Sequence, residues 1–404
     1  MLNGKVIVLG VTGGIAAFKA VELLRLLVKA GASVHVVMTK SAREFVAPLT
    51  FQTLSMNPVH TEMFNLIQEQ EIGHISLADR ADLFIVAPAT ANILGKIAAG
   101  IADDLLTTAV MATKAPVMLA PAMNVNMYNN AVVRENIEKL KRHGYLFVEP
   151  ASGALACGWE GKGRLQEPDI IFEEAAAALS RKDLLGTKVL VTAGPTREEI
   201  DPVRFISNYS SGKMGYAIAR AARRRGAEVI LISGPVSLDP PYGVQTVTAV
   251  SATEMGEAAL AAFQDADIII KAAAVADYRP EKRAGAKIKK SDVSLSLRLV
   301  RNPDILAEMG RRKGDRFLVG FAAETDDLAG NSAKKLQEKN LDMVVANDIT
   351  RKGAGFGVDT NIVKILDRDG GVEDLPLMGK DELADVLLNR IVAKMRQMRE
   401  RRSG

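Results

Sequence analysis

The sequence has a single cysteine, Cys157, and a single tryptophan among its 404 residues. One thiol cannot form an intramolecular disulfide, so we expect a reducing compartment such as the cytoplasm. Long apolar runs are also lacking. None approaches the roughly 18 residues that a membrane-spanning helix needs, and the opening "MLNGKVIVLGVTGG" turns to glycine too early for a secretory signal. A formal net charge of only +4 gives no reason to expect a nucleic acid partner.

Aromatic residues are scarce, at 5% of the chain, whereas hydrophobic residues make up 48%. Many apolar stretches are runs of Ala, Val, Ile and Leu, which is typical of parallel sheets covered by helices on both faces. A strand pattern that enters a glycine-rich turn and then a helix pattern begins at Gly4 and again at Gly186. This alternation predicts two α/β domains, over residues 1–180 and 186–404, with a boundary in residues 179–186.

In such folds ligands bind beyond the carboxyl ends of the strands, so the loops there are the first candidate sites. The first turn holds Gly13 and Gly14 and lets backbone N–H groups approach an anion, although a plain tight turn explains it equally well. Thr90 and Asn92 follow the apolar "DLFIVAP", and Asn124 follows "APVMLAP". These three polar residues have two readings, as helix caps or as groups that hydrogen-bond a ligand.

Two side chains in the same half could carry chemistry. His74 is one of four histidines, and imidazole suits a general base, although a lone histidine is more often structural. Cys157 lies among Gly158, Gly161 and Gly163, with few residues that could pack into a core. Such a thiol is either an inert surface group or a reactive group on a mobile segment.

Five motifs of the first half occur together in a fixed order. They are Gly13–Gly14, "GHISLA" around His74, "PATAN" at 88–92, "PAMNVNMY" at 121–128 and "ACGWEGKGR" at 156–164. In this combination the half resembles the family of flavin-dependent cysteine decarboxylases. The resemblance implies a flavodoxin-like (Rossmann-like) fold and sites shared between the subunits of a trimer. It also implies an FMN cofactor, bound by Gly13, Gly14, Thr39, Thr90 and Asn92.

The same resemblance implies roles for three side chains. His74 assists proton removal while the thiol side of the substrate is oxidised, Asn124 holds the substrate carboxylate, and Cys157 lies on a flap that closes over the substrate. In the implied reaction FMN accepts two electrons from the substrate, and CO₂ is lost. The reduced FMN then returns the electrons to the decarboxylated intermediate, which is released as an aminothiol. A thiol on a glycine-hinged flap suits the last protonation, because it arrives after the substrate binds.

The second half has a polar loop, residues 192–215, between its first strand pattern and the helix pattern that follows. Several hydrogen-bond donors lie in it, among them Arg204, Asn208 and Lys213. We expect these residues to lack regular structure. A loop of this length favours a function, such as holding a phosphate at the helix amino terminus, over a simple connection.

Charged residues follow the later strand patterns as well. Asp277 comes after the apolar "IIIKAAAVA", and Lys287 lies in the basic "KIKK" shortly beyond it. A helix pattern begins in "NPDIL" at 302–306, and Lys335 and Lys339 lie four residues apart on one helical face. Lysines in such a pattern are usually solvated, so they indicate either an exposed surface or an anion site.

The segments "GPTREEIDPVRFISNYSSGKMG", "AAAVADYRP", "KIKK", "NPDIL" and "GFAAET" also come in a fixed order. With them the second half, a second Rossmann-like domain, resembles bacterial phosphopantothenate–cysteine ligases. The resemblance implies a dimeric ligase that uses CTP with Mg²⁺ and forms an acyl-cytidylate, on which Arg204, Asn208 and Lys287 act. It implies a CTP site formed by Asp277, Lys287, Pro303, Asp304, Ile305, Leu306, Phe321, Lys335 and Lys339.

A decarboxylase followed by such a ligase resembles the bifunctional coenzyme A biosynthesis enzymes of bacteria. The implied substrates are 4′-phosphopantothenate, cysteine and CTP, and the implied assembly combines trimers and dimers, as in a dodecamer. Two other classes remain as alternatives. A non-catalytic regulator would not need His74, Asn124 and Cys157 together, and a nicotinamide-dependent oxidoreductase would be expected to have the G-x-G-x-x-G that the first turn lacks.

Overall fold

The computed structural model describes residues 2–63, 73–154, 160–289, 295–324, 328–348, 351 and 353–403. The chain divides into two compact units, Met1–Ser180 and Arg181–Gly404. They are called the amino-terminal and carboxyl-terminal units below, and each is described by itself. Within the described ranges no helix combines the length and the apolar character that crossing a membrane requires.

A parallel sheet forms the centre of the amino-terminal unit. Its strands are β1 (Val6–Val11), β2 (Ser33–Met38), β3 (Val59–His60), β4 (Leu83–Ala89), β5 (Val117–Pro121) and β6 (Leu146–Phe147). They lie in the order β3-β2-β1-β4-β5-β6. Without the two-residue edge strand β3, this is the 2-1-3-4-5 order of flavodoxin-like folds, so the predicted fold class is confirmed. A separate antiparallel hairpin pairs β7 (Ala151–Ala154) with β8 (Glu160–Arg164).

Helices cover both faces of this sheet, because its central strands are apolar on both sides and β4 is buried along its whole length. The helices are α1 (Ala17–Lys29), α2 (Pro48–Ser55), α3 (Gly73–Arg80), α4 (Ala91–Ala99), α5 (Leu105–Ala112), α6 (Val125–Asn129), α7 (Ala131–Arg142) and α8 (Pro168–Leu179). Ile85 of β4 packs with residues of α1 and α8, whereas its neighbour Phe84 packs with α4 and α5. A short 3₁₀ helix, Lys40–Glu44, follows β2.

The carboxyl-terminal unit contains a larger mixed sheet. Strands of the unit are β9 (Lys188–Ala193), β10 (Arg197–Glu199), β11 (Phe205–Ser207), β12 (Glu228–Ser233), β13 (Gln245–Thr248), β14 (Ile268–Lys271), β15 (Tyr278–Pro280), β16 (Leu299–Arg301), β17 (Phe317–Glu324), β18 (Met343–Asp348), β19 (Thr360–Asp367) and β20 (Val372–Gly379). The sheet order is β13-β12-β9-β14-β17-β18-β19-β20. Pairs up to β18 are parallel, and β19 and β20 are added antiparallel.

Helices of this unit also lie on both faces of its sheet. They are α9 (Lys213–Arg224), α10 (Ala252–Phe263), α11 (Ile305–Arg311), α12 (Leu328–Glu338) and α13 (Lys380–Ser403). Apolar residues of α9 and α13 pack on one face, and those of α10, α11 and α12 pack on the other.

The prediction that residues 192–215 lack regular structure is wrong. Within them β10 and β11 form an antiparallel pair, with Arg197 opposite Ser207. Tertiary contacts hold this hairpin: the backbone N–H of Arg197 donates to the Val250 carbonyl at 2.8 Å, and the buried Glu198 accepts from the backbone of α10. Strands of three residues are too short to show an alternating pattern in a sequence.

Each sheet has a point at which the strand order reverses. In the amino-terminal unit it lies between β1 and β4, and in the carboxyl-terminal unit it lies between β9 and β14. The loops that leave two such strands diverge to opposite faces, which opens a crevice beyond their carboxyl ends. The fold therefore places one candidate site in each unit.

Candidate active sites

In the amino-terminal unit the loops after β1 and β4 are joined across the crevice. The buried Thr12 donates its hydroxyl hydrogen to the Pro88 carbonyl, with an oxygen–oxygen distance of 2.6 Å. Gly13 lies so close to the 3₁₀ helix after β2 that a Cβ there would come within 2.3 Å of the Ser41 Cβ. Glycine is therefore required at Gly13 for packing, and this packing closes one side of the crevice.

A cavity of about 1240 Å³ lies at this point. Every residue that the decarboxylase resemblance implies for FMN lines it, and Asn124 lines it too. Ile15, Phe18 and Met127 add exposed apolar surface to the same lining. The cavity thus combines an apolar surface with polar loop residues, which is the usual character of a cofactor site.

Thr90 and Asn124 are helix caps and also line the cavity. Thr90 Oγ1 accepts from the Ile93 N–H of α4 at 3.4 Å, and Asn124 Oδ1 accepts from the Asn126 N–H of α6 at 2.8 Å. The two readings that the sequence left open are therefore compatible. Capping fixes the position of each side chain at the end of a buried strand, next to the cavity.

Two further observations indicate what this cavity could hold. The Oγ1 atom of Thr39 is buried without a hydrogen-bond partner, although such atoms are normally satisfied. No side chain caps the amino terminus of α1, whose first turn follows Gly13 and Gly14. Free N–H groups at a helix amino terminus attract an anion. The site therefore fits a ligand that carries an anionic group and a hydrogen-bonding partner for Thr39.

The β7/β8 hairpin packs against the loop that carries Asn124. The Met123 N–H donates to the Gly163 carbonyl at 2.9 Å, and a Cβ at Gly163 would lie 2.5 Å from the Met123 carbonyl oxygen. Gly163 has φ +152°, a conformation that favours glycine. Cys157 lies in the segment that joins these two strands, outside the described residues. His74 lies in the first turn of α3, and its side chain is also outside the described part of the chain.

The carboxyl-terminal unit has a cavity of about 660 Å³ beyond the ends of β9, β14 and β17. Most of the residues that the ligase resemblance implies lie in its lining. They are Asn208, Asp277, Pro303, Asp304, Ile305, Leu306, Phe321, Lys335 and Lys339. Residues from five separate stretches of sequence are thereby brought to one place.

Cations dominate one side of this cavity. Lys339 Nζ lies 2.8 Å from an Asp304 carboxylate oxygen, and Lys335 Nζ donates to the Phe321 carbonyl at 2.8 Å. Lys271, at the end of β14, lines the same cavity, and burial together with the charge of Lys335 lowers its pKa to about 8. Burial tends to raise the pKa of Asp304, but the hydrogen bonds from Lys339 and from the Ala307 N–H, together with the charges of Lys339 and Lys271, lower this pKa overall. This cluster is suited to a polyanion.

Two predicted residues, Arg204 and Lys287, do not line the cavity. Arg204 Nε donates to Asp201 at 3.0 Å, and its NH2 group donates to the Ile288 carbonyl at 2.9 Å. Arg204 therefore anchors the segment that carries Lys287, whose own side chain is exposed. Asn208 does line the cavity, and its Nδ2 donates to the Ala274 carbonyl at 2.8 Å.

Several lining residues were missed by sequence reasoning, namely Ser41, Lys271, Asn347, Asn361 and Lys380. Lys271 had a signal, because a lysine that ends an apolar strand pattern will lie at the ligand edge of the sheet. The buried Asn361 lies in the antiparallel strand β19, and the buried Lys380 is the first residue of α13, directly after β20. The sequence did not connect either segment with the site. Across the described residues no group of three or more His, Cys, Asp or Glu side chains could hold a metal ion.

Two family models match the chain. The Flavoprotein family matches residues 1–180, and the DNA/pantothenate metabolism flavoprotein C-terminal domain matches residues 184–395. The first match covers the unit with the larger cavity, and the second covers most of the other unit. The chain is therefore a flavoprotein of the pantothenate metabolism class.

Similar proteins define the family more narrowly. Coenzyme A biosynthesis bifunctional protein CoaBC of Bacillus subtilis (strain 168) is 52% identical over 405 residues, which cover 99% of this chain and 100% of that protein. Its namesake from Vibrio cholerae is 47% identical, covering 98% and 99%. A crystal structure of the C-terminal domain of a CoaBC protein is 46% identical and covers 54% of this chain and 99% of that chain, with a TM-score of 0.47. The chain belongs to the family of bifunctional coenzyme A biosynthesis proteins.

Proposed function

We propose that this chain carries out two successive steps of coenzyme A biosynthesis. Residues 186–404 join cysteine to 4′-phosphopantothenate with CTP, and residues 1–180 decarboxylate the product to 4′-phosphopantetheine with FMN. One observation carries the proposal: each unit has a cavity at the reversal point of its sheet, and the motif residues of the matching family line it.

The ligase reaction needs an activated carboxyl group, because a carboxylate is a poor electrophile toward an amine. The carboxylate oxygen of 4′-phosphopantothenate attacks the α-phosphorus of CTP, and pyrophosphate leaves. The amine of cysteine then attacks the acyl carbon, the bond to the CMP oxygen breaks, and the amine loses a proton. Lys335 and Lys339 offset the negative charge of the nucleotide, and Asn208 donates to the acyl intermediate.

A Mg²⁺ ion would enter this site with the nucleotide. Magnesium is commonly held by one or two carboxylates together with substrate phosphates. Asp277 and Asp304 are the carboxylates in the cavity lining. Asp277 is exposed and pairs in no described ion pair, so it is the better placed of the two.

The decarboxylase unit fits FMN. The α1 amino terminus suits the phosphate, and Thr39, Thr90 and Asn92 offer hydrogen bonds to the rest of the cofactor. Bound FMN supplies a reversible two-electron acceptor. The chain's own groups would do the rest: Asn124 holds the substrate carboxylate, His74 takes a proton, and Cys157 returns one. Closing the Cys157 segment would also exclude water.

We also assign an assembly to this function, with trimers formed by the decarboxylase part and dimers by the ligase part. The apolar side chains of Ile15 and Phe18, which are 61% and 52% exposed beside the FMN cavity, support a subunit contact there. A cytoplasmic location agrees with the small, phosphorylated substrates.

The test supplies 4′-phosphopantothenate, cysteine and CTP to the purified full chain. We expect a yellow protein that forms CMP, CO₂ and 4′-phosphopantetheine in equal amounts. Omitting cysteine should stop CO₂ release, because the decarboxylase has no substrate without the ligase product. A colourless protein that forms only CMP would contradict the decarboxylase assignment, and failure to form CMP would contradict the ligase assignment.

Nucleotide binding should take up a proton near pH 8. The pKa of Lys271 is lowered to about 8 by burial and by Lys335, so at about pH 8.5 a large share of this amine is neutral. A triphosphate in the same cavity favours the charged amine and raises its pKa, which draws a proton from solution. Calorimetric titration with CTP in buffers of different ionisation enthalpy measures this uptake. It should vanish in Lys271→Gln and persist in Lys334→Gln, a change on the exposed side of α12.

A further inference from the structure

One wall of the ligase cavity has no role in the function proposed above. It consists of Asn347, Asn361 and Lys380. Asn347 lies at the end of β18, opposite Val363 of β19, and Thr360 at the start of β19 lies opposite Gly379 of β20. Asn361 follows Thr360 in β19, and Lys380, the first residue of α13, follows Gly379. The three residues therefore lie beside one another at neighbouring ends of β18, β19 and β20.

This wall faces away from the helices that carry most of the implied nucleotide residues. Val345 packs with α9 and α13, whereas its neighbours Val344 and Ala346 pack with α11 and α12. Because side chains alternate along a strand, Asn347 lies on the same face as Val345. Asn208 precedes α9, which covers this face. Asn208 lines the same cavity as the wall, so an acyl group held by Asn208 would be in the same cavity as these side chains.

Asn347 lines the cavity and carries an unused hydrogen-bond acceptor. The residue is 8% exposed, and its Oδ1 atom is buried without a hydrogen-bond partner. A buried acceptor left unpaired costs free energy, so a ligand that binds here would supply a donor. A phosphate or a carboxylate has no proton to donate to this atom. Amines, hydroxyls and amide N–H groups have such protons. Among these donors we choose the amine of the amino acid, because it is the group that must be positioned at the acyl carbon.

Lys380 adds a buried cation to the same wall. It is 6% exposed, and its Nζ donates to the carbonyls of Gly355 at 3.1 Å and Val358 at 2.6 Å. An ammonium group has three hydrogens, so one remains for a ligand. Burial and the charge of Lys213 lower the pKa of Lys380, and an anion bound beside it would offset both effects. The wall therefore offers an acceptor for an amine and a cation for a carboxylate.

We propose that this wall is the subsite for the amino acid that the ligase joins to the acyl group. Asn347 Oδ1 accepts from the amine and positions its nitrogen toward the acyl carbon, and Lys380 pairs with the carboxylate. The proposal rests on the ligase function proposed above. It assigns Asn347 and Lys380 as specificity-determining residues for the cosubstrate cysteine.

The test is Asn347→Leu in the full chain, because leucine keeps the size of the side chain and removes the acceptor. We expect the KM for cysteine to rise about tenfold, the lower end of the effect of losing one hydrogen bond to a charged group. The KM values for CTP and 4′-phosphopantothenate should change less than twofold. Pyrophosphate release in the absence of cysteine should continue, since the first half-reaction does not use this subsite.

Ser332→Ala is the matched control. Ser332 also carries a buried hydroxyl without a hydrogen-bond partner, but it lies on α12 outside the cavity lining. Its loss should leave the KM for cysteine unchanged. A rise in the KM for CTP in Asn347→Leu would overturn the proposal and assign the acceptor to the nucleotide. An unchanged KM for cysteine would overturn it as well, whereas a wild-type chain that never releases pyrophosphate would overturn the ligase function itself.

Lys380→Gln tests the carboxylate half of the subsite. Glutamine can still donate to the loop carbonyls, so the variant should keep the loop in place. The measured quantity is the rate with cysteine divided by the rate with cysteamine, determined for each protein. Wild-type protein should use cysteine much better than cysteamine, which lacks the carboxylate. In Lys380→Gln the ratio of the rate with cysteine to the rate with cysteamine should fall about tenfold. An unchanged preference in a variant that still releases pyrophosphate would show that Lys380 only holds its loop.

Discussion

Replacement of Cys157 by serine is expected to stop 4′-phosphopantetheine formation while the protein remains yellow. A serine hydroxyl is a far weaker acid than a thiol, so the proposed final protonation fails. Loss of a positioned acid typically costs about 100-fold or more in rate. CO₂ release should continue for a single turnover, because the carboxylate leaves before the proton is returned. The measurement pairs CO₂ release with detection of the aminothiol product.

The ligase half serves as the internal control for this variant. CMP formation depends on residues of the other unit, so Cys157→Ser should form CMP at the wild-type rate. Normal formation of the aminothiol product would show that the role proposed for Cys157 is wrong. Loss of the yellow colour would show instead that the segment is needed to bind FMN.

Lys339→Met is expected to reduce CTP-dependent pyrophosphate formation about 100-fold. The methionine keeps most of the side-chain length but removes the charge proposed to face the nucleotide. A hydrogen bond to a charged group contributes about 1.5–3 kcal/mol, and the upper end of this range, expected for a highly charged triphosphate, corresponds to a loss of about 100-fold. Asp304 loses its partner in this variant, but its side chain is 49% exposed and can be solvated, so the unit should still fold.

Lys334→Met is the matched control for this prediction. Lys334 lies on α12, which ends one residue before Lys339. It is 72% exposed and its Nζ lies 3.8 Å from a Glu338 carboxylate oxygen, so its loss should leave pyrophosphate formation unchanged. Decarboxylation of supplied 4′-phosphopantothenoylcysteine should stay normal in both variants. Equal losses in the two variants would show that the effect comes from the overall charge of α12 and not from a contact with the nucleotide.

Local sequence patterns predicted the central elements well. β1 and β4 are continuous apolar runs that end before a threonine, and each is followed by a helix as the sequence predicted. Burial on both faces leaves a pattern that is visible in a few consecutive residues. The β10/β11 hairpin left no such pattern, because its position depends on contacts with Val250 and with α10.

Some residues of the candidate sites could likewise be recognised from the sequence, and others only from the structure. Thr90 and Asn124 could be recognised because each follows a buried strand and caps the next helix. Asn347 could not be recognised, since an asparagine before an aspartate at a strand end is an ordinary sequence. Asn347 becomes a candidate because its Oδ1 atom is buried in the cavity wall without a hydrogen-bond partner. Whether a partner is present depends on the neighbouring strands, which are distant in the sequence.

By itself the sequence determined the α/β class, the two strand–turn–helix starts and the loops in which ligand-binding groups could lie. Those features follow from hydrophobic periodicity and from glycine placement, which are local. Tertiary structure alone decided which loops meet: Thr39 beside Gly13 in one cavity, and Lys271, Lys380 and Asn347 in the other. The reason is physical, because strand order and burial bring together residues that are distant in the chain, and no short stretch of sequence records those distances.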